Sequence, residues 1–166
     1  MCIRDRDGAG TLIAKDHKEQ ISTASIDDVG GILELIEPLE EEGILVKRSR
    51  ELLELEIDRF LVLKKEDVII ACAALYPYPE SGVGELACVA IHPDYRKGSR
   101  GEHLLNAIEA FAKRQKLNEL FVLTTVSAHW FLEKGFIESS VDYLPESKKQ
   151  IYNLQRKSKV FVKRLL

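Results

Sequence analysis

The sequence has few of the residues that build metal centres and disulfide frameworks. Only three cysteines occur among 166 residues (Cys2, Cys72 and Cys88), and no two of them have the C-x-x-C spacing. An odd number of cysteines without that spacing argues against a disulfide framework and against a zinc site. The four histidines are scattered and form no pair with metal-ligand spacing. We therefore expect no metal and reduced thiols, which are typical of cytoplasmic proteins.

Long apolar runs are also missing. A helix that spans a bilayer needs about 18 or more consecutive apolar residues, and no run in this sequence approaches that length. The first ten residues carry charges but lack the apolar core of a secretory signal. A composition of 45% hydrophobic and 31% charged residues instead indicates a soluble globular domain. A chain of this size buries enough surface to fold without covalent support, and we expect no membrane partner.

Charge is distributed unevenly along the chain. Residues 148–166 hold seven bases and no acid, which leaves 17 bases against 27 acids in residues 1–147. Basic tails often bind nucleic acid, so a nucleic-acid-binding module is one hypothesis. The tail has few aromatic residues for stacking on bases, and the acidic remainder would repel a phosphate backbone. Both features argue against that hypothesis, and we expect no nucleic-acid partner.

Hydrophobic periodicity predicts an α/β (α+β) domain with a mixed sheet flanked by helices. A parallel strand–helix–strand unit is predicted at Glu85–Thr124, after a hairpin at Phe60–Tyr76. The other strands are predicted at Ile21–Ile26 and Val160–Val162. The other helices carry Ile32–Leu39, Leu52–Ile57 and Trp130–Phe131, and a last one starts at Pro145. Ser49-x-Glu51 is predicted to open the second of these helices. We also expect Asp27 or Asp28 to cap the first helix, Pro38 to bend or shorten it, and Gly43 to close it.

The loop His92–Gly101 carries the clearest chemical signal. It lies between a predicted strand and a predicted helix, and its small residues let the backbone approach a ligand closely. Unpaired N–H groups at the helix start favour an anion, and Arg96, Lys97 and Arg100 add positive charge. The loop lacks the Gly-Lys-[Ser/Thr] signature of a P-loop. Its residues indicate a phosphate or pyrophosphate cradle, with an ordinary solvated connection as the alternative.

Arg96-x-x-Ser99-x-Gly101 resembles the Arg/Gln-x-x-Gly-x-Gly/Ala loop of the GNAT acetyltransferase superfamily, with Ser99 in place of the middle glycine. From about residue 21 to the end, the chain is similar to the acetyltransferase domain of the bacterial N-acetylglutamate synthases. The segments that carry this resemblance are Ile32–Ile36, Gly43–Glu51, Cys72–Leu75, Gly84–Ala90, His129–Phe131, Gly135–Phe136 and Leu144–Lys149. The resemblance implies a GNAT fold with strands splayed at an acetyl-CoA cleft. It also implies acetyl transfer from acetyl-CoA to L-glutamate, the first step of arginine synthesis.

The start of the sequence carries a second resemblance. Arg6–Thr11 is similar to the end of the amino-acid-kinase-like domain that precedes the acetyltransferase in that family. This implies a remnant at residues 1–20 and a GNAT domain at 21–166. The sequence would then be a fragment, and the partner that it lacks would be its own kinase-like domain, where the family places the arginine feedback site. A homo-oligomer is compatible with the resemblance.

The resemblance assigns two catalytic roles. Glu85 stands at the family's general base, although a glutamate at a strand end is more often an exposed surface residue. Many GNAT enzymes use a tyrosine as the acid, but Phe131 stands at that position and has no proton to give. The resemblance points instead to Thr124 as the hydroxyl near the leaving sulfur, with Thr125 beside it.

The remaining site residues are binding residues. The resemblance assigns acetyl-CoA to the backbone of one strand end and to the following loop: Val89, Ala90, Ile91, Arg96, Lys97, Gly98, Ser99, Arg100 and Gly101. Glutamate has two carboxylates, and arginine matches a carboxylate with two parallel hydrogen bonds. Arg48 would bind one carboxylate with help from the Val46 and Cys88 backbones, and Arg156 or Lys157 would bind the other. Two alternatives stay open: a GNAT enzyme for another amine, and a folded but inactive fragment.

Overall fold

The structure is a computed structural model, and it describes residues 12–13, 19–45, 47–96, 99–124, 128–140, 143–145 and 159–165. The chain divides into two compact units. The first is Met1–Ala74 with Cys88–Ile108, and the second is Leu75–Ala87 with Glu109–Leu166. The resemblance at Arg6–Thr11 and the helix predicted after Pro145 concern residues outside this description, so both stay predictions.

The first unit holds a run of antiparallel strands, which pair in chain order: β1 (Leu12–Ile13), β2 (Glu19–Thr23), β3 (Phe60–Lys65) and the start of β4 (Val68–Tyr78). The predicted hairpin is confirmed with a shorter turn. Glu66 and Asp67 alone connect β3 to β4, and their φ angles are 52° and 69°. Two central residues with positive φ form the type I′ turn, whose twist matches that of the strands. Because β2 begins at Glu19, the domain boundary expected at residue 21 falls inside a strand.

Helix α1 (Val29–Glu41) runs three residues beyond Pro38, so of the two expected effects of Pro38 the shortening is wrong and the bend stays a prediction. Proline removes one hydrogen bond of a helix, and the buried side chains of Ile32 and Ile36, both 0% exposed, hold the helix in place. Gly43 closes it as predicted, with a φ of +77°. The next helix, α2 (Arg50–Leu55), also begins as predicted, because the Ser49 hydroxyl accepts a hydrogen bond from the Leu52 N–H at 3.1 Å.

Asp28 does not cap α1 through its side chain. Its carboxylate instead accepts hydrogen bonds from the Ser25 N–H at 2.8 Å and from Lys64 Nζ at 2.8 Å. Burial opposes ionisation of this carboxyl, but the bonds from Lys64 and Ser25 outweigh it and hold the pKa of Asp28 below its usual value. The acidic residue before α1 therefore joins the helix start to β3.

The second unit contains a mixed sheet. The strand–helix–strand unit that the sequence predicts consists of β5 (Val83–Ile91), α3 (Arg100–Arg114) and β6 (Glu119–Thr124). The second unit holds the start of β5, the end of α3 and all of β6. Parallel pairing joins Val83–Leu86 to Glu119–Val122, and β6 is antiparallel to β8 (Lys159–Arg164). After the short helix α4 (Ala128–Glu133), β7 (Ile137–Ser139) pairs with β8. Strand β7 was not predicted.

Candidate active site

The loop after β5 is organised by hydrogen bonds among its own residues. The Tyr95 N–H donates to the His92 carbonyl at 2.8 Å, and the Asp94 N–H donates to His92 Nδ1 at 3.1 Å. Arg96 Nε donates to the Ile91 carbonyl at 3.1 Å. The predicted cradle therefore has a defined backbone up to Arg96, and part of the Arg96 guanidinium holds the loop itself.

Helix α3 begins directly after this loop. Its first intrahelical bond runs from the His103 N–H to the Ser99 carbonyl, at 2.9 Å. Ser99 Oγ lies 3.4 Å from His103 Nε2. The predicted residues Arg100 and Gly101 form the first turn of the helix. A first helical turn presents unpaired N–H groups and the positive end of the helix dipole, which is the physical basis of the predicted anion site.

The Arg100 side chain is engaged elsewhere. Its Nη2 and Nε atoms both bind Glu19 Oε2, at 2.6 Å and 3.2 Å, and Glu19 is only 6% exposed. Its guanidinium also lies over the Tyr95 ring, 5.1 Å from the ring centroid. Sequence reasoning treated Arg100 as a source of positive charge for phosphates, whereas the structure shows it in a buried ion pair. The partner was missed because residues 1–20 showed no sign of a fold.

Strand β5 is interrupted at Cys88, which has a φ of +56°. Positive φ is uncommon in a residue with a side chain, and such strain concentrates at functional sites. The Cys72 thiol donates to the Cys88 carbonyl at 3.4 Å, so the carbonyl at the irregularity has a buried partner. Beyond it, Ala90 is buried, while Val89 and Ile91 are half-buried. These are the predicted acetyl-CoA residues.

Arg48 lies near Cys88 in the same unit. A hydrogen bond from the Cys72 thiol, assisted by the positive charge of Arg48, holds the pKa of Cys88 below its usual value against the effect of burial. The hydrogen bond to Cys88 and burial raise the pKa of Cys72, against the charge of Arg48. Arg48 thus places a cation near the irregular strand position, and the negative charge of Glu40 acts there with the opposite sign.

Glu40 supports this arrangement and was missed by sequence reasoning. Its carboxylate accepts the backbone N–H of Arg48 at 2.9 Å, which ties the segment after α1 to the last turn of that helix. A signal was available in the sequence, because the last turn of α1 is acidic and holds no base. An acidic side chain at a helix C-terminus interacts unfavourably with the helix dipole. A nearby hydrogen-bond donor is therefore expected to bind it.

Glu85 belongs to the second unit and is 7% exposed, so it is not the surface glutamate of the alternative interpretation. It pairs with Phe121 of β6 and shares that residue's face of the sheet. Phe121 belongs to a buried apolar cluster with Val83, Leu144, Val160 and Val162. The preceding Gly84 fits closely, because a Cβ there would lie 2.7 Å from Leu75 Cδ1. The sheet therefore presents a buried carboxylate beside apolar side chains.

Thr124 projects from the opposite face. Phe121 and Leu123 share the face of Glu85, and strand alternation places Val122 and Thr124 on the other. The structure therefore does not bring the Thr124 hydroxyl to the Glu85 side of the sheet. Phe131 is a core residue, 6% exposed and stacked on Phe161 at 6.5 Å between ring centroids.

Six predicted site residues lie outside the described part of the chain, namely Val46, Lys97, Gly98, Thr125, Arg156 and Lys157. Their roles stay predictions. Within the described ranges, no group of three or more His, Cys, Asp or Glu side chains could hold a metal ion. Nor does any helix there combine the length and the apolar character needed to cross a bilayer.

A model of the acetyltransferase (GNAT) family matches residues 29–136. The chain belongs to the GNAT family. This match confirms the predicted fold, a mixed sheet flanked by helices.

Individual GNAT relatives are more specific. An amino-acid acetyltransferase of Escherichia coli (strain K12) is 62% identical over 157 residues, 95% of this chain and 35% of the relative. One of Aliivibrio fischeri (strain MJ11) is 60% identical over 156 residues, 94% of this chain and 35% of the relative. The Neisseria gonorrhoeae N-acetylglutamate synthase in complex with coenzyme A and N-acetyl-glutamate is 41% identical, with a TM-score of 0.87. This match covers 93% of this chain and 37% of that one. The predicted resemblance is confirmed, and the chain spans about a third of the curated relatives' length.

Proposed function

We propose that the chain transfers the acetyl group of acetyl-CoA to the α-amine of L-glutamate, giving N-acetylglutamate and CoA. The observation that carries the proposal is the structural relative with a TM-score of 0.87, which was solved with CoA and N-acetyl-glutamate. The described chain supplies the chemical groups that the reaction needs: a buried carboxylate, an arginine beside an irregular strand, and a helix start after a loop. Both substrates are metabolites of the cytoplasm, which we propose as the compartment.

Glu85 is the proposed general base. The ammonium of glutamate must lose a proton before its nitrogen can attack the thioester carbonyl carbon. A carboxylate that is 7% exposed beside an apolar cluster is shielded from bulk water and can receive that proton directly or through one water. Attack forms the new C–N bond, and collapse of the tetrahedral intermediate breaks the C–S bond. The attacking nitrogen loses a second proton as the amide forms, and this proton neutralises the departing thiolate.

The thioester is proposed to lie along the end of β5. The backbone turns at Cys88, and the N–H groups of Val89 and Ile91 follow it, while the Ala90 N–H donates to the Cys72 thiol. Donors at this position would stabilise the oxyanion of the tetrahedral intermediate. The CoA phosphates would lie at the first turn of α3, at Arg100 and Gly101, where the helix dipole favours anions.

Arg48 is proposed to bind one carboxylate of glutamate. Its charge acts on the Cys72 and Cys88 thiols, so it lies beside the strand position whose backbone would contact the substrate. The Glu40 carboxylate holds the backbone of Arg48 at 2.9 Å and limits the movement of the segment. The second carboxylate is assigned by resemblance to Arg156 or Lys157.

A hydroxyl of Thr124, with Thr125 beside it, is proposed to donate a hydrogen bond to the leaving thiolate, because a threonine is too weak an acid to protonate it. Thr124 projects from the face of the sheet opposite Glu85. Thr124→Val and Thr125→Val are therefore measured side by side in the same assay. We expect the variant of the participating threonine to lower kcat about tenfold, with the KM of glutamate unchanged, while the other keeps its activity. Valine preserves the shape of threonine and removes only the hydroxyl. Full activity of both variants would exclude a threonine from this step.

The proposed function is tested by steady-state assays of the purified chain with acetyl-CoA and a panel of amino acids. We expect kcat/KM for glutamate to exceed that for glutamine by about 10²-fold or more, because glutamine leaves a carboxylate-binding cation without its partner. Equal values for glutamate, glutamine and lysine would contradict the assignment and indicate another amine. CoA binding without transfer to any amino acid would indicate an inactive chain.

A further inference from the structure

The buried ion pair between Glu19 and Arg100 joins two parts of the chain that are 81 residues apart. Arg100 is the first residue of α3, and Glu19 is the first residue of β2. Two donors of the guanidinium converge on one carboxylate oxygen, at 2.6 Å and 3.2 Å. The Glu19 side chain is 7% exposed and that of Arg100 is 24% exposed. A carboxylate buried to this degree depends on its partner, and breaking such a pair is strongly unfavourable.

The surrounding residues extend this contact to the loop. Glu19 pairs with Lys65 of β3, whose Nζ lies 5.4 Å from the centroid of the Tyr95 ring. Arg100 lies over the same ring at 5.1 Å. Tyr95 ends the short turn of the loop, and His92 contacts it edge-on at 5.6 Å between ring centroids. One cluster of side chains therefore fixes the turn before the cradle and the helix start after it.

We propose that Glu19 and Arg100 are positioning residues for the CoA phosphates. They hold the first turn of α3 so that its N–H groups keep their direction, and the Arg100 guanidinium stays on Glu19 rather than on phosphate. This inference rests on the proposed function, because it takes acetyl-CoA as the ligand. It also makes the segment before residue 21 part of the acetyl-CoA site, since Glu19 lies there.

The two possible roles of Arg100 predict opposite results for Glu19→Gln. If Arg100 is a phosphate ligand, loss of the Glu19 charge frees its guanidinium, and CoA binds equally well or more tightly. If the pair positions the helix, Glu19→Gln and Arg100→Gln both weaken CoA binding. We expect about tenfold weaker binding in each, the equivalent of one lost hydrogen bond to a charged group. The double variant should be no weaker than either single variant, because both changes remove the same interaction.

The experiment measures the Kd of CoA by titration calorimetry on the full chain and its variants, without any acceptor. Acetyl-pantetheine, a donor that lacks the adenosine and phosphate groups, separates positioning of the cradle from general damage. The proposal expects kcat/KM with this donor to stay within about twofold in the single variants, while kcat/KM with acetyl-CoA falls about tenfold. Arg114→Gln, at the other end of α3, is the matched control and should bind CoA normally.

Three outcomes overturn the proposal. They are unchanged or tighter CoA binding by Glu19→Gln, additive losses in the double variant, and an equal loss with acetyl-pantetheine. If the glutamine variants do not fold, Arg100→Lys tests the same role, because lysine keeps a cation for phosphate but cannot make both bonds to Glu19. Positioning predicts weaker CoA binding by this variant, and unchanged binding would contradict it. Absence of CoA binding by the unaltered chain would contradict the proposed function, whereas binding that no variant alters would contradict only the positioning role.

Discussion

Replacing Glu85 by glutamine is expected to lower kcat for acetylation of glutamate by about 10³-fold, within the range that a general base contributes. Glutamine keeps the size and hydrogen-bonding shape of the side chain but cannot accept the proton of the ammonium. The Kd of CoA should be unchanged, because Glu85 contributes to neither the loop nor the first turn of α3. Steady-state kinetics and calorimetry on the same preparation measure the two quantities.

The pH dependence separates loss of the base from damage to the fold. If Glu85 accepts the proton, kcat/KM of Glu85→Gln should rise steadily with pH, because the fraction of glutamate with an unprotonated amine rises. Glu119→Gln is the control, since Glu119 lies on the same face of the sheet and hydrogen-bonds Tyr143. Glu119→Gln should be less stable than the unaltered chain, with a kcat within about twofold of the unaltered value. Full activity of Glu85→Gln would remove Glu85 from the mechanism.

Local sequence signals predicted the helix ends that carry a capping residue. Ser49 identified the start of α2, and Gly43 identified the end of α1, because a capping hydroxyl and a residue suited to positive φ act within one turn. Strand β7 carries no such signal. Its three residues are all exposed and show no alternation, and the strand exists because Ile137–Ser139 pairs with β8. Pro38 was misjudged because burial of α1 outweighed a local penalty.

The candidate site was predictable only as far as its residues match a family motif. Nothing local in the sequence shows that Glu85 is buried, because its neighbour Phe121 comes from β6. The positive φ of Cys88 is equally hidden, since cysteine has no preference for that conformation. Glu19 was missed because its partner Arg100 is far away in the sequence. Burial and partnership are properties of the folded chain, and a motif predicts them only through resemblance.

Replacing Arg48 by alanine is expected to raise the KM of glutamate by about 10²-fold, the equivalent of one to two charge-assisted hydrogen bonds. The KM of acetyl-CoA should stay within about twofold, and kcat should change far less than the KM of glutamate. The fold of the segment should survive, because Glu40 binds the backbone N–H of Arg48 rather than its side chain. Steady-state titrations of each substrate at saturation of the other measure these values.

Arg50 provides the matched control for Arg48, because it lies two residues away, is 59% exposed and pairs with Glu54 at 3.4 Å on the surface of α2. An exposed pair of this kind contributes little, so Arg50→Ala should leave the KM of glutamate unchanged. The KM of glutamate for Arg48→Lys should lie between that of Arg48→Ala and that of the unaltered chain, since lysine keeps the charge but loses the two parallel donors. Equal effects of Arg48→Ala and Arg50→Ala would show that positive charge anywhere on this segment suffices, and would contradict a direct contact between Arg48 and the carboxylate.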